Sequence, residues 1–166
     1  MSQVLAELFK HNNWATLQLL DFCEQQADEV LDSRSIGTYG TARDTLIHLV
    51  SAERRYASIF RPPETENVNE MMGQTASFAM LRASARESGS VLEETAASAS
   101  DNWTVETEYG GEKHILSGST ILIQAIDHAT EHRTHVRAIL TEQGVEPPNL
   151  DGWVYGQETG DRIEPA

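Results

Sequence analysis

Three imidazoles stand at spacings of four and three in His128-Ala129-Thr130-Glu131-His132-Arg133-Thr134-His135, inside a segment that otherwise reads as helix. At about 100° per residue, His132 lies roughly 40° to one side of His128 and His135 roughly 20° to the other, so all three rings share one face. The progression Ile121, Ala125, His128, His132, His135, Ile139 follows that face, and the imidazoles interrupt its apolar stripe. A buried neutral imidazole must satisfy one donor and one acceptor nitrogen, and a divalent metal uses the acceptor. A His-x-x-x-His pair supplies only two ligands, so a metal site needs a third from elsewhere. His48 is the best candidate, on the apolar side of another helical stretch with Thr45, Leu49, Ala52, Tyr56 and Ile59. Three imidazoles leave coordination positions open for water or substrate, as catalytic rather than structural zinc-type sites do. The competing reading is a set of core histidines satisfied by hydrogen bonds within the protein.

Four helical stretches must position these rings. The first runs from about Val4 to Ala27, with Leu5, Leu8, Phe9, Asn12, Ala15, Leu19, Phe22 and Cys23 at helical spacing and no proline or glycine. Ser33 to Gly40, with two glycines, breaks it. The second begins near Thr41, where Thr41 and Asp44 resemble a capping box, and stops near Phe60 before Pro62-Pro63. An acidic, proline-containing loop from Arg61 to Met72 leads to the third, about Thr75 to Ser100, which Gly89 weakens. Alternation of Val105, Thr107 and Tyr109 with Glu106 and Glu108, then Gly110-Gly111 and Lys113 to Leu116, signals a hairpin. Ser117 or Ser119 caps the fourth helix, which ends at Gly144 ahead of Pro147-Pro148.

The fold class expected is all-α, an antiparallel four-helix bundle with a short hairpin-like insertion before the last long helix. Residues 1–148 form the bundle and 149–166 a tail, pinned at its start by Trp153 and Tyr155 and frayed from Gly160 onward.

Twelve basic against 26 acidic residues give a net charge of −14, which argues against nucleic acid or an anionic membrane as partner. The single cysteine, Cys23, excludes an intrachain disulfide and a cysteine-based zinc site and fits a reducing cytoplasm. The N-terminal residues carry no secretory pattern and no apolar run approaches the roughly 20 residues that span a bilayer, so a cytoplasmic, non-membrane protein is expected.

On these motifs the chain resembles the DinB/YfiT-like family of metal-binding four-helix bundles, whose members carry one histidine in the second helix and a His-x-x-x-His pair in the fourth. The matching residues are Leu46-Ile47-His48-Leu49-Val50-Ser51-Ala52-Glu53-Arg54-Arg55 and Asp127-His128-Ala129-Thr130-Glu131-His132-Arg133. Asn12-Asn13-Trp14-Ala15-Thr16-Leu17-Gln18-Leu19-Leu20 is similar to that family's first helix, and the resemblance covers roughly residues 4 to 144. It implies that His48, His128 and His132 bind one divalent transition metal, nickel or zinc, and that the protein is a homodimer acting on a small-molecule substrate. The implied chemistry is hydrolysis, or S-transfer or isomerisation with a low-molecular-weight thiol; a non-catalytic metal- or ligand-binding stress-response module is the alternative. Many relatives follow the second paired histidine with Arg-Gly-Gln, whereas this chain has Arg133-Thr134-His135. His135 is thus open to roles as a fourth ligand, a proton relay or a donor to a ligand.

Other residues carry lesser expectations. Asp44, one turn before His48, either orients its ring or serves the helix N-terminus, and the second is preferred. Trp14 and Tyr56 could wall a substrate pocket or simply fill core. Asp127 and Glu131 point away from the ligands, His11 and His114 read as solvent-facing, and Cys23 as an inert buried thiol. No carboxylate presents itself as a general base.

Overall fold

The computed structural model describes residues 3–64, 76–100 and 102–160. It is mostly helical with a small two-stranded sheet. The elements are α1 (Gln3–Cys23), α2 (Asp28–Leu31), α3 (Ala42–Ser58), α4 (Phe78–Ser98), β1 (Thr104–Tyr109), β2 (Glu112–Ser117), α5 (Gly118–Glu142) and α6 (Gly152–Thr159). Thr41 caps α3, its side-chain oxygen accepting from the Asp44 backbone N–H at 3.0 Å, and Ser77 does the same for Met80 at the start of α4. Ser117 holds the N-cap position of α5, but its hydroxyl pairs with that of Ser119 at 2.7 Å instead of capping. The strands pair antiparallel from Thr104↔Ser117 to Tyr109↔Glu112, turning through Gly110 and Gly111, both at positive φ.

α1 packs chiefly on α4, and α3 on both α5 and α4; α1 and α5 meet less closely. The core divides into two apolar clusters. One holds Leu19, Leu20, Leu46, Val50, Leu81, Ala85, Val136 and Ile139; the other holds Phe9, Ala57, Leu92, Leu122 and Ala125. Read along each helix, α1 and α5 pass from the second cluster to the first, while α3 and α4 pass from the first to the second. Neighbours α1 and α4 therefore run in opposite directions, as do α3 and α5, while α3 and α4 run the same way. The long connection after Ser58 makes that parallel return possible.

Two glycines set close approaches. A Cβ on Gly89 would lie 2.3 Å from the Asn13 side chain, so the residue that weakens α4 locally is the one that lets α1 seat against it. A Cβ on Gly118 would lie 2.1 Å from the Trp103 ring, and the Gly118 N–H donates to the Trp103 carbonyl at 2.9 Å, seating Trp103 at the head of α5.

One expectation about the C-terminal segment needs correction. The segment after Asn149 opens with a short helix: Asp151 caps α6 by accepting from the Trp153 and Val154 N–H groups, and α6 packs on α1. Trp153 does not pin it, being 70% exposed; Tyr155 does, buried and donating to Glu7 at 2.6 Å. Much of the Arg61–Met72 loop, the start of the third helix at Thr75 and the segment after Gly160 lie outside the described residues.

Candidate metal centre

The histidine-bearing helices α3 and α5 face one another, and the structure brings His48, His128 and His132 together. One ring nitrogen from each lies within 4.8 Å of the others. His128 Nε2 and His48 Nε2 are 3.1 Å apart, a separation that suits either a hydrogen bond between the rings or two nitrogens turned to one ion. His132 packs edge-on to both, with centroids 4.2 Å from His128 and 4.7 Å from His48. Its Nδ1 is buried with no hydrogen-bond partner among the described residues. Three convergent imidazoles and an unpartnered buried ring nitrogen are a donor set that fits a divalent transition ion.

Their environment keeps the rings neutral. Burial lowers the proton affinity of all three; for His128, burial followed by the neighbouring His132, His48 and Arg55 charges brings the pKa down to about 4. Neutral imidazoles carry the lone pairs that a metal needs.

Tyr39 covers the cluster, and sequence reading missed it. Its ring stacks on His48 with centroids 3.9 Å apart and 14° between planes, and meets His132 edge-on at 5.3 Å. The signal was an aromatic between Gly37 and Gly40, just ahead of the α3 cap. Tyr56 meets His128 edge-on at 5.8 Å. Trp14 instead contacts His11 and Tyr155 and donates to Glu158 at 3.1 Å, where α1 meets α6. His135 lies outside the three-histidine group, its ring 5.3 Å from His132 and its Nε2 4.0 Å from Glu131. Asp44 is exposed and its carboxylate makes no hydrogen bond to His48.

Asp127 and Glu131 are exposed as expected, and Cys23 is buried with its thiol pushed up to about 12 by desolvation. His11 is not solvent-facing; its Nε2 lies 2.9 Å from the Leu150 carbonyl and helps hold the segment before α6. His114 sits half-exposed on β2 opposite Thr107.

Behind the histidines runs a buried polar layer that sequence reading did not assemble. Asn12 donates to Glu53 at 2.7 Å through its amide nitrogen, and its amide oxygen accepts from Arg133 at 2.7 Å. Arg133 also donates to Thr16 at 3.0 Å and Thr130 at 3.3 Å. The layer falls between the two apolar clusters on each helix that it touches. Arg133 adjoins His132 in sequence but turns to α1 while His132 turns to α3, so the layer fixes the rotation of α5 and with it the aim of the histidines. Burial pushes Glu53 up to about 7, against the opposing pull of Arg133 and Asn12.

The sequence profile of the DinB family matches residues 1–163. The chain belongs to the DinB family. Comparison with curated proteins finds no match. Its membership rests on nearly the whole chain, and the three clustered histidines fall within the matched span. No helix among the described residues of this DinB protein is long and apolar enough to cross a membrane.

Proposed function

We propose that this is a divalent-metal-binding protein whose four long helices form a bundle around a three-histidine site, and that the site acts on a small molecule. The observation that carries the reading is the convergence of His48, His128 and His132 within 4.8 Å, with His132 Nδ1 buried and otherwise unpartnered. His48 comes from α3 and the pair from α5, so the helices already hold the three rings in place before an ion arrives. Nickel or zinc suits three imidazoles. Bound there, the ion supplies Lewis-acid activation of a water or a thiol, which serves hydrolysis or thiol-dependent transfer equally.

This chain's own residues do the rest. Tyr39 covers His48 on one side and Tyr56 borders His128, so aromatic faces bound the approach to the site. The Asn12–Glu53–Arg133 layer anchors α5 from behind. The lone buried thiol of Cys23 accords with a reducing, cytoplasmic setting.

A second feature supports a homodimer. An apolar cavity of about 620 Å³ between α1, α5 and the segment that follows α4 is lined by Leu5, Leu8, Phe9, Trp103, Leu122 and Ile126, among others, but by none of the three histidines. Val4, Leu8 and Ile123 are exposed beside or within it. Asp127 is the one charged lining residue, and such a charge-poor patch is where two copies of a chain carrying −14 can meet.

The metal reading is tested by elemental analysis of tag-free protein prepared without chelator, beside a His128→Ala/His132→Ala variant. About one equivalent of a transition metal in the parent, lost in the variant, is expected. Equal, substoichiometric metal in both after reconstitution contradicts it.

A further inference from the structure

Arg55 stands where it can read the charge of whatever enters the histidine site. It lies seven residues after His48 on α3, which returns it to nearly the same face about 10 Å along the axis. Helical side chains lean toward the N-terminus, so its guanidinium reaches back in the direction of His48. Its Cζ sits 5.9 Å from the centroid of Tyr56, the ring that in turn borders His128. The chain from guanidinium to tyrosine to histidine is continuous, and the Arg55 charge is felt by both His48 and His128.

Its partners are as informative as its place. In this acidic chain Arg43 pairs with Asp28 and Asp32, Arg61 with Glu94, and Arg82 with Asp21 and Glu24. Arg55 is exposed and, like Arg34, Arg86 and Arg137, has no ion-pair partner among the described residues, but it alone of these is felt by the site histidines. A guanidinium left without a carboxylate, near the His48 and His128 imidazoles, is a donor fork open to an oxyanion from solution.

We propose that Arg55 is the specificity residue of the three-histidine site, and that the molecule taken there carries a carboxylate on the side away from the group that meets the metal. This rests on the metal-site reading above. Tyr56 forms a flat wall between the two points of attachment, so the ligand spans from Arg55 along that ring to the histidines.

The test uses zinc-loaded full-length protein and three probes of similar size in calorimetric titrations: 3-mercaptopropionate, neutral 3-mercapto-1-propanol and cationic cysteamine. The parent is expected to bind the carboxylate about fivefold to tenfold more tightly than the neutral thiol and cysteamine most weakly, a preference that shrinks with added salt. Arg55→Gln is expected to bring the carboxylate and the neutral thiol to within about twofold, with zinc content and neutral-thiol affinity unchanged. A purely structural role for Arg55 at the C-terminal turn of α3 would shift the melting temperature and leave the ratio intact. A ratio that persists in Arg55→Gln, or is absent from the parent, overturns the assignment while the metal site stands. Failure of the parent to take up zinc overturns both, and the two failures are told apart by zinc content alone.

Discussion

Glu53 is 2% exposed, and only one of its carboxylate oxygens has a partner among the described residues. Its proton is held to about 7 in the folded chain against an ordinary value of 4.5. A carboxyl whose folded pKa is raised contributes stability that is full below the unfolded value and is lost as pH rises through the folded one. The window is therefore pH 4.5 to 7, and the loss is on the order of 3 kcal/mol once the group is ionised in both states. Glu53→Gln keeps an acceptor for Asn12 and removes the titration. Urea melts of the metal-free proteins should show the variant gaining on the parent steadily from pH 4.5 to 7 and levelling off above. A difference between the two that is flat with pH would mean that Glu53 is not held protonated. The same residue shows what single-residue reading misses. Glu53, Arg133 and Asn12 each sit on an apolar stripe, Arg133 one turn after Ala129 and one before Val136, yet a charged residue at such a position ordinarily reads as a lapse in the stripe. Only the packing of three helices shows that the polar positions meet.

Helices α1 and α4 approach closely because Gly89 has no side chain, with Asn13 filling the space. Gly89→Val puts branched carbons into that space and is expected to cost about 1–3 kcal/mol in chemical denaturation, while a surface position of α4 such as Arg86 should tolerate valine within about 0.5 kcal/mol. A Gly89→Val protein as stable as the parent or more stable would show that helix propensity, and not the α1–α4 seam, governs Gly89. Much at this scale was legible. Thr41 announced the start of α3, Gly110-Gly111 the hairpin turn, and the apolar period all four long helices, because each rests on local chemistry that sequence carries directly. Helix direction was not legible, since parallel α3 and α4 depend on a long connection whose path no local rule sets. Tyr39 escaped for a related reason: a loop aromatic declares its target only when the fold brings α3 and α5 beside it. The α6 helix escaped because a Gly- and Asp-rich segment reads as coil until Tyr155 and His11 are seen holding it to α1.

For the whole molecule, charge and shape pull in different directions. A net charge of −14 keeps copies apart, and the α1–α5 face offers the charge-poor apolar surface on which they can still join. Ile123 is 68% exposed there, so Ile123→Glu should leave the melting temperature nearly unchanged while shifting the sedimentation coefficient from dimer to monomer at micromolar concentration. A parent that sediments as a monomer would refute pairing through this face. The histidine cluster lies off that groove, so the proposed pairing face and the proposed metal site are separate surfaces. Tyr39, Tyr56 and Arg55 border the cluster from one side and the Asn12–Glu53–Arg133 layer supports it from the other. The central claim is that three imidazoles hold one ion, and metal-edge X-ray absorption on the zinc- or nickel-loaded protein tests it most directly. The account predicts about three imidazole nitrogens at about 2.0–2.1 Å with light-atom ligands completing the shell, falling to about two imidazoles in His48→Ala. A shell without imidazole scattering, or one that His48→Ala leaves unchanged, would contradict it.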